Sequence, residues 1–175
     1  MDALDAIRQS AQKSDLGAFR LAHHNGLLLK PPARHGLPRA VEEALAFRTK
    51  HIRVAKDLPS VDPHPTEWRV IIVAKKLGNP FLDRVSVGRA PNCDIVLRVP
   101  YVSKLQAHFV CQDDGAVLLV DAGSSNGTYI DGDELPRGVP STLASGGNVR
   151  FGTLGFFFLR AEDAWRALRQ DEFRA

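Results

Sequence analysis

Two kinds of apolar periodicity divide the chain near residue 65. Upstream, Leu4, Ile7 and Ala11 recur at helical spacing and predict a short amphipathic helix over 2–12. Ser14 is the expected N-cap of a second helix running to about His23, with Asn25-Gly26 as its stop signal. Leu27–Leu29 reads either as a short strand or as a packed apolar plug. After a loop marked by Pro31-Pro32 and Gly36-Leu37-Pro38, Val41 and Leu45 are in register for a third helix over 39–50. The segment from Pro59 to Pro65 carries three prolines in seven residues and reads as a linker.

Downstream, short apolar stretches alternate with turn signals. The stretches are Trp68–Lys75, Arg84–Val87, Ile95–Leu97, Ala107–Cys111, Val117–Val120, Thr128–Ile130, Val149–Phe151 and Phe156–Leu159. Gly78-Asn79-Pro80, Asp113-Asp114-Gly115, Asn126-Gly127 and Gly146-Gly147 are among the separators. Many short strands between Gly/Asn/Asp turns predict a mainly β fold of the sandwich type. Helical periodicity returns only at Glu162–Phe173, with Trp165, Leu168 and Phe173 on one face. The expected organisation is a mostly helical extension and linker over 1–65, a β domain over 66–160 and a C-terminal helix over 161–175.

Composition adds limits. Of the 175 residues, 44% are hydrophobic and 25% charged, as in a globular protein with a real core. The formal net charge of +3 lies wholly upstream, where residues 1–65 hold ten Lys/Arg against seven Asp/Glu. That excess is too small and scattered to imply nucleic acid. Cys93 and Cys111 match neither a disulfide framework nor a zinc motif, and the five upstream histidines (His23, His24, His35, His51, His64) lack metal-site spacing. No metal and no cofactor is expected. The longest apolar runs, Val70–Ala74 and Leu154–Leu159, are far short of the ~20 residues that cross a bilayer. The acidic N-terminus has no apolar signal-peptide core, so a cytoplasmic location is the default expectation.

Three clusters carry candidate chemistry, each at a loop or strand end. They are Gly88-Arg89, Ser103-Lys104-Leu105-Gln106-Ala107 and Ser125-Asn126-Gly127-Thr128. A phosphothreonine brings about −1.5 to −2 charge and three acceptor oxygens. Arg89 would offer it a planar fork of donors, Lys104 a compact charge, and Ser103 and Ser125 short hydroxyls. The Asn126 amide both donates and accepts, which suits a peptide backbone, and Gly127 would free the turn that carries it. No Gly-x-Ser-x-Gly elbow and no Gly-x-x-x-x-Gly-Lys loop is present, and the Asp pairs sit in turns, so catalysis is not expected.

In this order and inside this strand pattern, the clusters resemble the forkhead-associated (FHA) family over about residues 66–160. That family has a Gly-Arg at a strand end, a Ser-basic-x-His-Ala segment some fourteen residues later and an Asn-Gly-Thr segment about twenty after that. Phe151-Gly152 and the apolar strand after it fit the family's ending. The resemblance implies a sandwich of two twisted antiparallel sheets with the binding loops at one end. It implies phosphothreonine recognition in which Arg89, Ser103, Lys104 and Ser125 contact the phosphate or its neighbours and Asn126 holds the peptide backbone. Gly88, Gln106 and Gly127 would support the loops. Gln106 stands where the family has a bracing histidine; its amide also donates and accepts, with a different reach.

The function implied is that of a non-enzymatic adaptor in Ser/Thr kinase signalling. Its partner would be a phosphothreonine protein, whether a kinase or a kinase substrate, with no nucleic acid and no membrane. The alternative, kept open by Gln106, is a phosphate-independent scaffold on the same fold. For the upstream region, packing on the sandwich, self-association and binding of a separate partner all stay open. Thr49 followed by Ile52 is a candidate site for modification and self-docking.

Overall fold

The computed structural model describes residues 3–30 and 68–169. The helix expected over 39–50, the proline-rich linker, Thr49 and Phe173 lie outside the described residues.

Helix α1 (Ala3–Lys13) follows the Leu4/Ile7/Ala11 stripe, and all three side chains are buried. Helix α2 (Leu16–Ala22) starts one residue later than expected. Asp15, not Ser14, is its N-cap, accepting the Ala18 N–H at 2.7 Å. The Ser14 hydroxyl instead donates back to the Ser10 carbonyl at 2.6 Å and so closes α1. The C-terminal helix α3 (Ala161–Arg169) buries Ala161, Ala164, Ala167 and Leu168.

Eleven strands form two sheets among the described residues. They are β1 (Leu27–Lys30), β2 (Arg69–Ile72), β3 (Val85–Gly88), β4 (Ile95–Val96), β5 (Ala107–Cys111), β6 (Val117–Asp121), β7 (Thr128–Ile130), β8 (Asp133–Glu134), β9 (Ser141–Leu143), β10 (Asn148–Phe151) and β11 (Leu154–Leu159). One sheet runs β2-β1-β11-β10-β7-β8 and the other β4-β3-β5-β6-β9. The named strands pair antiparallel except β3 with β4, which are parallel. The two strands absent from the apolar pattern, β8 and β9, are short edge strands of largely polar residues, so no alternation marks them.

Between the sheets lies an aromatic core. Phe109 stacks on Phe158 with centroids 6.4 Å apart and meets the Phe151 edge at 6.4 Å. Strand β1 enters the first sheet between β2 and β11, with Leu28 opposite Ile71 and Phe158. Leu28 faces the sandwich core, whereas Leu27 and Leu29 join a second core with Phe19, Leu4, Ile7 and Leu168 from the helices. Burial on both faces explains why β1 reads as a continuous apolar run and not as an alternating one. The outer face of this sheet is therefore covered at its β2-β1-β11 end by α1, α2 and α3, tied in part by the Trp165 Nε1–H bond to the Ser14 carbonyl at 3.2 Å. No residue of the loops that follow β3, β4 and β6 belongs to the core formed with the helices.

Candidate functional site

Three loops build the site, and each is anchored from below. In the β4–β5 loop, Leu97, Val99 and Val102 are buried, which leaves Tyr101, Lys104 and Leu105 exposed and Ser103 half-buried. The loop docks on the end of β3 by backbone bonds. Arg89 N–H donates to the Ser103 carbonyl at 2.9 Å, and Ala90 N–H donates to the Lys104 carbonyl at 3.0 Å. This close approach requires Gly88: a Cβ there would collide with the Lys104 carbonyl and sit 3.0 Å from the Cys93 sulfur.

The β6–β7 loop is shaped by a residue that the motif reading passed over. Asp121, 1% exposed, accepts N–H bonds from Gly123 (2.8 Å) and Ser124 (3.0 Å) on one oxygen. Its other oxygen accepts the Ser124 and Thr128 hydroxyls, both at 2.6 Å. Burial pushes this carboxyl up, but those hydrogen bonds outweigh burial and hold it below the usual range, so it is ionised. The signal was present in the chain: an Asp two residues before Gly and three before Ser is the spacing of an Asx turn. Gly127, at φ +74°, completes the loop where any Cβ would strike the Tyr129 ring.

Gln106 joins the two loops. It is fully buried and uses both ends of its amide. Oε1 accepts the Ser103 N–H at 2.9 Å, while Nε2 donates to the Gly127 carbonyl at 2.9 Å and the Thr128 hydroxyl oxygen at 3.0 Å. A second tie lies nearer the surface, where the Ser103 hydroxyl accepts the Ser125 N–H at 3.0 Å. Gly152 closes the floor: its N–H donates to the Gly127 carbonyl at 3.0 Å, and a Cβ there would stand 2.6 Å from the Tyr101 carbonyl.

Arg89, Ser103, Lys104, Ser125 and Asn126 thereby line one shallow depression of about 390 Å³, with Tyr101 and Leu105 on its walls. The donors are oriented but not consumed. Arg89 Nε is engaged with the Val102 carbonyl at 3.2 Å, which leaves the two terminal nitrogens of the guanidinium without a hydrogen bond among the described residues. Lys104 is exposed and makes no ion pair there. Because the Ser103 oxygen already accepts from Ser125, its own hydrogen is available to donate outward. Asn126 uses Nδ2 to hold the Tyr101 carbonyl at 2.8 Å, and its side-chain oxygen is open to accept. Two cations, a hydroxyl donor and a backbone-binding amide suit a phosphate carried on an extended peptide.

The family model for the FHA domain matches residues 85–152. The oxoglutarate dehydrogenase inhibitor of Corynebacterium diphtheriae is 39% identical over 86 residues, which is 48% of this chain and 57% of that protein. The glycogen accumulation regulator of Mycolicibacterium smegmatis is 38% identical over 74 residues, covering 42% of this chain and 44% of the regulator. A solved FHA domain of the CT664 protein from Chlamydia trachomatis aligns with a TM-score of 0.45 at 27% identity, covering 53% of this chain and 84% of that one. The chain thus spans about half the length of these two curated relatives.

Proposed function

We propose, because residues 85–152 of this chain are an FHA domain, that its loop end binds phosphothreonine peptides. The observation that carries this is the convergence of Arg89, Ser103, Lys104, Ser125 and Asn126 on one depression whose loops are braced by Gln106. Arg89 and Lys104 supply charge and directed donors to the phosphate, and the Ser103 hydroxyl and the Ser125 side chain add short contacts. Asn126 fixes the peptide backbone. The recognition is non-covalent, in a pocket formed before the ligand arrives, and asks nothing of a cofactor or metal.

The protein acts as a regulatory adaptor, and its partner is a protein phosphorylated by a Ser/Thr kinase, or the kinase itself. The names of the relatives, an inhibitor and a regulator, support a non-catalytic role. Among the described residues no helix is long and apolar enough to cross a membrane. The cytoplasm is the compartment in which such a partner would be met. The functional unit is the loop end of residues 66–160, with the helical layer of α1, α2 and α3 acting as its support.

The test is a degenerate phosphothreonine peptide library and its unphosphorylated twin, titrated against the wild type and Arg89→Ala. Selection of the phosphorylated library by the wild type alone is the expected result. If neither protein distinguishes the two libraries, phosphate reading is absent and the fold serves as a phosphate-independent scaffold.

A further inference from the structure

The two sheets have four edges, and three of them carry the devices that keep edge strands from pairing with other chains. Strand β8 consists of two exposed acidic residues, Asp133 and Glu134. Strand β4 has only two residues, and β9 is a three-residue strand that opens on two hydroxyl side chains directly after Pro140. The fourth edge, β2, has none of these. It runs Arg69-Val70-Ile71-Ile72, its last three residues are β-branched and apolar, and no Gly or Pro stands between Trp68 and Leu77. Both of its faces are packed, Ile71 against the sandwich core and Val70 and Ile72 against the helical core.

Pairing with β1 fixes which backbone groups of β2 remain. Val73 N–H donates to the Gly26 carbonyl at 3.0 Å, and Ile71 lies opposite Leu28 and Arg69 opposite Lys30. Antiparallel pairs alternate between bonded and non-bonded positions, so Arg69, Ile71 and Val73 turn their N–H and C=O groups toward β1. Val70 and Ile72 turn theirs to the other side, where no described strand lies. Outward donors and acceptors on an apolar strand packed on both faces form a template for another strand.

The register selects the strand that fits. Set antiparallel against a second β2 about Ile71, Val70 faces Ile72 of the second copy, and each exchanges its N–H and C=O bonds with the other. Ile71 meets Ile71 of the second copy in the close, non-bonded position, where β-branched side chains pack well. Arg69 faces Val73, so no like charges meet, whereas an in-register parallel pairing would set Arg69 on Arg69. We infer that β2 is a self-association edge: two copies of this chain join there about a two-fold axis and make one sheet that is continuous across both. Arg69 lies at the end of β1 and β2 that runs toward the β10–β11 turn, whose Gly152 closes the floor of the phosphate depression. Antiparallel joining therefore points the two depressions in opposite directions and blocks neither. The association itself does not depend on the phosphothreonine reading.

Sedimentation equilibrium of the full chain, from about 1 µM to about 500 µM, reads the association as a change in mass. Amide hydrogen exchange followed by NMR over the same series reads where it happens. The mass should rise from one copy to two. The Val70 and Ile72 amides should slow about tenfold once about nine-tenths of the protein is paired, while the Ile71 amide, already bonded to β1, stays slow throughout. Val70→Pro removes one outward N–H and no bond to β1, a change that edge strands tolerate. It should keep a cooperative thermal melt and weaken pairing about tenfold or more. If that variant does not fold, the wild-type exchange series decides. A mass of one copy at every concentration overturns the inference: fast exchange of the two amides would leave the edge to a strand of another protein, and slow exchange would mean that the chain itself covers it. A dimer that forms without slowing Val70 and Ile72, or a folded Val70→Pro protein that pairs as tightly as the wild type, uses another face and overturns it as well.

Discussion

Gln106 donates through Nε2 to the Gly127 carbonyl at 2.9 Å, and this bond joins two loops that lie twenty-one positions apart in the chain. The other end of the same amide holds the Ser103 N–H, so one buried side chain sets the separation of the two loops that line the depression. Replacing it by Leu keeps the volume and deletes every one of these bonds. Gln106→Leu should cost about 2–3 kcal/mol in urea unfolding, because the Ser103 N–H is left unpartnered. It should also weaken phosphopeptide binding, since the loops are no longer held at a fixed distance. Gln106→His retains a donor and an acceptor and should lose less on both counts; equal losses for the two variants would show that volume, not bonding, is what the position supplies.

Arg89→Ala should weaken phosphopeptide binding by about 1.5–3 kcal/mol, or roughly ten- to a hundredfold, the usual value of a hydrogen bond to a charged group. Lys104→Ala should have a smaller effect and should flatten the dependence of affinity on salt, because an exposed point charge acts through a screened field. Titration at two ionic strengths separates the two roles. An Arg89→Ala protein with wild-type affinity would remove Arg89 from the site.

Gly88→Ala tests whether the β4–β5 loop must lie as close to β3 as it does. The added methyl meets a backbone carbonyl, that of Lys104, which has no rotamer to escape into. A loss of about 1–3 kcal/mol in stability is expected, with a displaced Ser103-Lys104 segment and weaker peptide binding. Unchanged stability and affinity would mean that the loop yields freely and that its seat on β3 does not position the site.

Asp94 makes stability depend on acid. Burial pushes its carboxyl up, but bonds from the Ser86 N–H and hydroxyl, the Lys76 N–H and the Lys75 ammonium outweigh burial and bring it down to about 2. A carboxyl lowered from 3.8 to about 2 on folding contributes stability that is complete above its unfolded pKa and is lost as pH falls through the folded one. The window is pH 4 down to 2, and the contribution is about 2 kcal/mol. Urea unfolding across that window should show a steeper decline for the wild type than for Asp94→Asn. Parallel curves would mean that another carboxylate dominates acid unfolding.

Asp121→Asn replaces one acceptor oxygen by an NH₂ group facing two hydroxyls that both now donate. The variant should be destabilised by about 1–3 kcal/mol and should bind phosphopeptide more weakly although Asp121 does not line the depression. A thermal melt paired with a peptide titration checks both. Reduced stability with unchanged affinity would confine Asp121 to the fold.

Much of the site was legible in the chain because its parts are short and contiguous. Gly88-Arg89, Ser103-Lys104 and Ser125-Asn126-Gly127 each announce a strand end or a turn, and turn chemistry is local. The strands that alternate, such as Ala107–Cys111, were legible for the same reason: Phe109 is fully buried and His108 only partly. Asp121 carried a local turn signal, but its bond to the Thr128 hydroxyl, seven residues on, forms only once the loop has closed. The β8 and β9 edge strands carry too few apolar residues to signal themselves.

The sequence by itself determined where the chain extends and turns, which side chains reach the loop end and that its chemistry suits a phosphate, since each depends on a few neighbouring residues. Only the tertiary structure decided that Leu27–Leu29 is a strand between β2 and β11, buried by the sandwich on one side and by the helices on the other. Only it decided that Gln106 spans the two loops. These facts rest on residues far apart in the chain coming into register, and such pairings are set by the burial of whole sheets, which no local pattern encodes.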